Sequence, residues 1–336
     1  MKLNWKEDWP LYLILVATVS VFGKEAVDAI RRPGTPLPAE PQPQYWVAPN
    51  LYLDHEPTGA AREQLIYGHQ LISHTALYFG PSGTISPTSN GMNCQNCHLD
   101  AGTKPWGNNY GAVFSTYPKF RDRSGTVETV FKRVNDCFER SLNGKALDTN
   151  SKEMLAIAAY IKWLGQNVKK GEKPVGSGIT ELPYMNRAAD PQKGQIVYTT
   201  KCQSCHGENG EGVLSENKTE YTYPPLWGDH SYNNGAGLYR LSRFAGYVKD
   251  NMPFNQAAHA SPALTNEEAW DVAAFVNSRP RPVKDLRNDW PDISKKPVDH
   301  PFGPYTDGFS EQQHKFGPFQ PIVDARKKIK AEQAGK

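Results

Sequence analysis

The sequence predicts an all-α chain of two similar helical domains followed by an irregular tail that wraps over them. Three observations predict this. The pentapeptide Cys94-Gln-Asn-Cys-His98 returns once, as Cys202-Gln-Ser-Cys-His206. A capped apolar helix begins 52 residues after the first histidine and 59 after the second. Between the halves lies a segment rich in Gly, Pro and Ser, residues 171–185, of the composition that breaks regular structure. A length of 336 residues accommodates two small domains with extensions.

C-x-x-C-H is the attachment sequence of a c-type haem. Two thiols three residues apart form thioethers with the vinyl groups, and the adjacent histidine reaches the iron. Cys94, Cys97, Cys202 and Cys205 are therefore read as holding two covalent haems, with His98 and His206 as proximal ligands. One C-x-x-C alone also reads as a zinc knuckle or a redox pair. Two distant motifs, each fused to its own histidine, do not suit one tetrahedral site. Each half is accordingly expected to be a cytochrome c domain, 51–170 and 186–283, with a tail over 284–336. Of the 5 cysteines, Cys137 alone is left without a partner. A net charge of +3 names no partner. No basic run with interleaved aromatics forms a nucleic-acid module, so nucleic acid is excluded.

Haem is joined to this motif outside the cytoplasm, so the chain is expected in the periplasm. Residues 1–32 carry the candidate export segment. Leu11 to Gly23 is free of charge and too short for a full span of ~20 residues. Acidic residues precede it, no A-x-A follows it, and Trp5 and Trp9 stand where interfacial anchors sit. A cleaved signal and a retained inner-membrane anchor both remain open. Residues 33–50 read as a proline-rich linker.

In chain order, Ala60 to Phe79 has helical apolar spacing, and it carries His69 and His74, read as partly exposed or as contacts to haem propionates. Val127 to Leu142 is a second candidate helix. Asn150 to Leu164 is a third, with Asn150 as cap and Glu153 at the capping-box position. Pro191 to Thr200 leads into the second motif. Thr265 and Glu268 form a T-x-x-E box ahead of Trp270, Val272, Ala273, Phe275 and Val276. Trp163 and Trp270 are expected as core aromatics against haem edges. The tail holds eight prolines between 280 and 321, interspersed with too many aromatics for a disordered segment.

Comparing the halves assigns the remaining iron ligands. Met252 lies thirteen residues before the cap Thr265, and Cys137 lies thirteen residues before Asn150. Cys137 thus stands where the other half carries its methionine, which predicts His98/Cys137 at one iron and His206/Met252 at the other. Thiolate ligation lowers a haem potential and methionine raises it, so electrons would run from the first haem to the second. Between Lys119 and Lys145 there are seven cations against four acids. On a helix, Arg133, Cys137 and Ser141 share one face, placing a guanidinium suited to oxyanions beside a nucleophilic thiol.

Asn135-Asp-Cys-Phe-Glu-Arg-Ser-Leu-Asn-Gly-Lys145 resembles a signature of the dihaem thiosulfate dehydrogenases. So do residues 97–103 (Cys-His-Leu-Asp-Ala-Gly-Thr), 224–228 (Pro-Pro-Leu-Trp-Gly), 301–307 and 314–319. The resemblance covers roughly residues 50–322. It implies the joining of two thiosulfates to tetrathionate with release of two electrons, a reaction that some members run backwards. It also implies that Cys137 leaves the iron to carry a sulfur adduct. Arg123, Arg133 and Ser141 match substrate-pocket positions, with Lys145 as a further contributor. Where some members have a lysine before the methionine and switch ligands, this chain has Asn251, so constant Met252 ligation is expected.

Alternatives remain at this level. A membrane-tethered carrier without its own substrate would use the thiolate only to tune its haem, and another sulfur anion would suit the same pair. The electron acceptor is expected to be a soluble or membrane-bound cytochrome.

Overall fold

The computed structural model describes residues 45–54 and 57–334. The candidate export segment, residues 1–32, and the start of the proline-rich stretch lie outside them. Among the described residues, no helix is long and apolar enough to cross a membrane.

The first half contains α1 (Gly59–Ser73), α2 (Thr75–Phe79), α3 (Val130–Arg140) and α4 (Lys152–Leu164). The single helix expected over 60–79 is broken at His74, whose φ of −127° and ψ of 41° are not helical. The haem-binding loop dictates the break. Asn93 Oδ1 accepts the Ala76 N–H at 2.8 Å, and Thr75 Oγ1 accepts the Cys94 N–H at 3.0 Å. Helix α3 starts later than its apolar spacing suggested. Residues 126–128 are instead a strand, β2, paired antiparallel with β1 (Lys119–Arg121), and the Thr129 hydroxyl caps the helix by accepting the Lys132 N–H at 3.2 Å. The cap of α4 is Ser151 rather than Asn150: its Oγ accepts the Met154 N–H at 3.2 Å. Glu153 turns away to accept the Tyr67 hydroxyl at 2.9 Å.

The second half contains α5 (Pro191–Lys201), α6 (Leu241–Asn251) and α7 (Asn266–Ser278). Thr265 and Glu268 form the expected reciprocal box at the start of α7. A second two-stranded antiparallel pair joins Val213–Leu214 to Tyr221–Tyr223. Among the described residues, the remaining regular structure is helical.

Both halves use the same packing device. Helix α1 crosses α4 at Gly68, where an added Cβ would lie 2.2 Å from the Ala156 carbonyl oxygen. Helix α5 crosses α7 at Gly194, where it would lie 1.9 Å from that of Asp271. Each glycine lets two backbones approach more closely than any side chain permits. Around these crossings lie two apolar cores, one with Leu71, Ile72, Phe138, Ile157 and Tyr160, the other with Tyr198, Leu241, Trp270 and Phe275.

The proline-rich linker and the tail expected to be irregular are both tied into these cores. Trp46 is buried, and its N–H bonds the Val175 carbonyl at 2.7 Å. The tail is irregular to Ser310 apart from one short turn, then forms α8 (Glu311–Phe316) and α9 (Gln320–Ala334). The Ser310 hydroxyl caps α8, and Phe316, Phe319 and Ile322 enter the second core. Their helical spacing is masked in the sequence by Pro318 and Pro321, the latter in the first turn of a helix, where proline is tolerated.

Candidate functional site

The first motif opens into a cavity of about 140 Å³. Cys94, Cys97 and His98 line it together with Arg133, Cys137 and Ser141 from α3 and its C-cap. His98 is fixed in one orientation: its Nδ1 donates to the Asn108 carbonyl at 2.5 Å, and its ring stacks on Tyr110 at 4.6 Å. That bond leaves Nε2 as the free lone pair. Burial pushes the imidazole down to about 4, so it is neutral, the form that ligates a metal.

Arg133 is the cation of this cavity. Its neighbours Lys132 and Arg140 are both paired with Asp136, whereas Arg133 makes no ion pair among the described residues. Attraction to the Cys137 sulfur, more than any other neighbour, holds the guanidinium above its ordinary range. Tyr117 also lines the cavity, with the Lys119 ammonium 4.8 Å from its ring centre. Only its place ahead of the cationic stretch hinted at this in the sequence.

Arg123 and Lys145 do not line this cavity. Arg123 is engaged by Asp289 of the tail, with Nε at 2.8 Å and Nη2 at 2.7 Å. Burial, and then repulsion from Arg140, push its guanidinium down to about 10. Lys145 is exposed. Asp289 was invisible to sequence reading, because its partners lie far away in the chain.

The second cavity, about 360 Å³, is lined by Cys202, Cys205, His206 and Met252. His206 Nδ1 donates to the Pro224 carbonyl at 2.8 Å, repeating the arrangement at His98. The chain register that equates Cys137 with Met252 does not extend to local structure. Cys137 sits inside α3, and Met252 is the extended residue that ends α6, with φ −127° and ψ 139°. Met92, Asn93 and Cys97 belong to both cavity walls, so a single stretch of chain separates the two spaces.

In each cavity, a thiol pair and a histidine oriented by a carbonyl face a mostly apolar space, which is the attachment set of a c-type haem, and one further sulfur side chain lies in the wall. Other expected contacts lie elsewhere. His74 pairs with Glu220 at 3.1 Å, and His69 packs edge-on against Tyr52 and Tyr160. Trp163 and Trp270 are core residues but line neither haem cavity.

Comparison with known proteins agrees with this arrangement. The family model "SoxA/TsdA, cytochrome c domain" matches residues 85–169, and "Cytochrome c" matches residues 191–280. A thiosulfate dehydrogenase of Psychrobacter arcticus is 39% identical over 60% of this chain and 60% of its own length. One from Allochromatium vinosum is 37% identical over 68% of this chain and 82% of its own length. Among solved structures, the thiosulfate dehydrogenase TsdBA from Marichromatium purpuratum matches with a TM-score of 0.65 and 32% identity, covering 72% of this chain and 50% of that one. The chain thus spans between half and four-fifths of the length of these relatives. Each cytochrome c domain carries one covalently bound haem c. With two such domains in this order, and the Allochromatium relative matched over most of its length, the chain belongs to the thiosulfate dehydrogenase family.

Proposed function

We propose that this protein is a periplasmic oxidoreductase that joins two thiosulfates to tetrathionate and, under reducing conditions, runs the reaction backwards. The observation that carries the reading is the convergence of Cys137, Ser141 and Arg133, which has no carboxylate partner among the described residues, on the cavity of the first haem motif. Domain 1, residues 51–170, is the catalytic domain, with His98 and Cys137 as iron ligands. Domain 2, residues 186–283, is the electron outlet, with His206 and Met252. When bound, the two haems supply one-electron acceptors of different potential, lower with thiolate and higher with methionine, which drain electrons towards a soluble or membrane-bound cytochrome.

The chain's own residues account for substrate handling. Thiosulfate is a dianion, and two of them repel at close range. Arg133 offsets that repulsion and offers paired donors to the sulfonate oxygens, and the Ser141 hydroxyl adds one more donor. Cys137 thiolate and the outer sulfur of the first thiosulfate form an S–S bond as two electrons leave, giving Cys–S–S–SO₃⁻. The outer sulfur of the second thiosulfate then attacks the sulfur that the first one contributed. Tetrathionate departs, and the Cys137 thiolate is restored with no further change in electron count. Arg123, held in its pair with Asp289, and exposed Lys145 stand outside this pocket and are given no contact with substrate.

Mixing the oxidised protein with thiosulfate under anaerobic conditions tests the reading. Haem reduction and tetrathionate are expected together, and haems that stay oxidised would overturn it. Cys137→Ala is expected to keep both haems attached and lose turnover; full activity in that variant would overturn the proposed role of the thiol.

A further inference from the structure

A short segment of domain 1, Lys104 to Asn108, touches the ligand sets of both cavities. The Asn108 carbonyl orients His98 at 2.5 Å. Two residues earlier, the Trp106 carbonyl accepts the Asn251 side-chain amide at 3.1 Å, and Asn251 immediately precedes Met252. Asn251 is fully buried, and its amide also bonds the Tyr247 carbonyl at 2.9 Å.

The Trp106 ring makes a second attachment to the same loop. It lies flat on the imidazole of His259, with centroids 3.9 Å apart and planes within 2°. Lys104 adds its ammonium over the Phe254 ring, 5.2 Å from the centroid. The loop that carries Met252 is therefore fastened to domain 1 on both sides of the methionine.

The backbone of the segment is strained in a way that serves this geometry. Trp106 and Asn108 have φ of 55° and 58°, the left-handed region that non-glycine residues enter at a cost. Their N–H groups are held by the Gly176 and Gly178 carbonyls at 2.7 and 2.8 Å. The strained conformation aims one carbonyl at His98 and the other at Asn251.

We infer that Trp106 is a positioning residue for Met252, holding the sulfur ligand of the second iron from the first domain through Asn251 and His259. The inference goes beyond the thiosulfate reading and does not depend on it. It rests on His206/Met252 ligation.

The test uses the full chain with both haems attached. Imidazole is added to the oxidised protein, and displacement of Met252 is followed as loss of the methionine–iron charge-transfer band, which only the second haem contributes. His259→Ala and Trp106→Ala are expected to speed displacement roughly two- to tenfold, the range that corresponds to loss of one aromatic stack. The midpoint potential of the second haem is expected to fall while that of the first stays in place. His259→Phe keeps the stack without the Asp250 contact of the imidazole and is expected to behave as the parent. A purely structural role would lower the unfolding midpoint but leave displacement rate and potential unchanged.

His259 is half-exposed, so His259→Ala decides the matter if Trp106→Ala does not accumulate with two haems. A parent-like displacement rate in His259→Ala would overturn the inference. Absence of the band from the unmutated protein would overturn the Met252 assignment and the inference with it.

Discussion

Asp289 is the residue whose removal is expected to be most informative about how the tail supports the first haem cavity. Its carboxylate takes Arg123 at 2.7 and 2.8 Å and Arg140 at 3.1 Å, and all three side chains are about 14% exposed. Removing one partner of a buried ion pair costs about 3–5 kcal/mol, because the other charge is left without compensation. Arg140 retains Asp136 at 3.6 Å, so the loss falls mainly on Arg123, and the lower end, about 3 kcal/mol, is expected for Asp289→Ala. The tail stays attached in this variant, since the Trp290 N–H still bonds the Arg123 carbonyl at 2.7 Å. The assay is denaturant unfolding of the haem-loaded protein, followed at the first haem. Arg123→Gln alone and the double variant complete a cycle. The double variant is expected to cost clearly less than the sum of the singles, because once the carboxylate is gone the arginine is only a liability. A cost below about 0.5 kcal/mol for Asp289→Ala, or additivity within that margin, would refute the reasoning.

Arg133→Lys keeps the charge but loses the planar fork, and kcat/KM for thiosulfate is expected to fall about ten- to a hundredfold, equivalent to one charge-assisted bond; steady-state kinetics check it. Gly194→Ala forces a Cβ against the Asp271 carbonyl and is expected to cost about 3 kcal/mol, the upper end for overpacking. Gly237→Ala, with nothing within 4 Å of the added carbon, is its control in thermal unfolding. Burial, and then the positive charges of Lys296 and Arg123, push buried His300 down to about 3. The folded state therefore favours the neutral ring. The contribution is complete above the ordinary histidine pKa near 6.5 and is lost as pH falls towards 3, at about 1.4 kcal/mol per pH unit. His300→Phe is expected to flatten the pH dependence of the unfolding midpoint over that window.

The haem-binding motifs, the helix caps and the cysteine left over from them were legible in the chain because each is a local device. Two thiols and a histidine must be neighbours to grip one porphyrin, and a capping hydroxyl acts on the next turn. The Thr265–Glu268 box was read correctly for that reason, and the shift of the other cap from Asn150 to Ser151 is an error of one residue. Apolar periodicity overran where the competing structure was non-local: the haem loop breaks the first helix at His74, and a strand pairing takes Val127 and Glu128 out of the helix expected from Val127. The glycine crossings at Gly68 and Gly194 have no common spacing from the motifs, so no repeat analysis reveals them. Arg123 carried the right charge in the right stretch, yet its orientation was decided by Asp289, 166 residues away. Sequence alone determined which groups this protein has available for haem and for an oxyanion, because bonding geometry constrains residues a few positions apart. The tertiary structure decided which of them face one another, because the ion pairs, stacks and carbonyls that orient them come from chain that sequence distance does not connect.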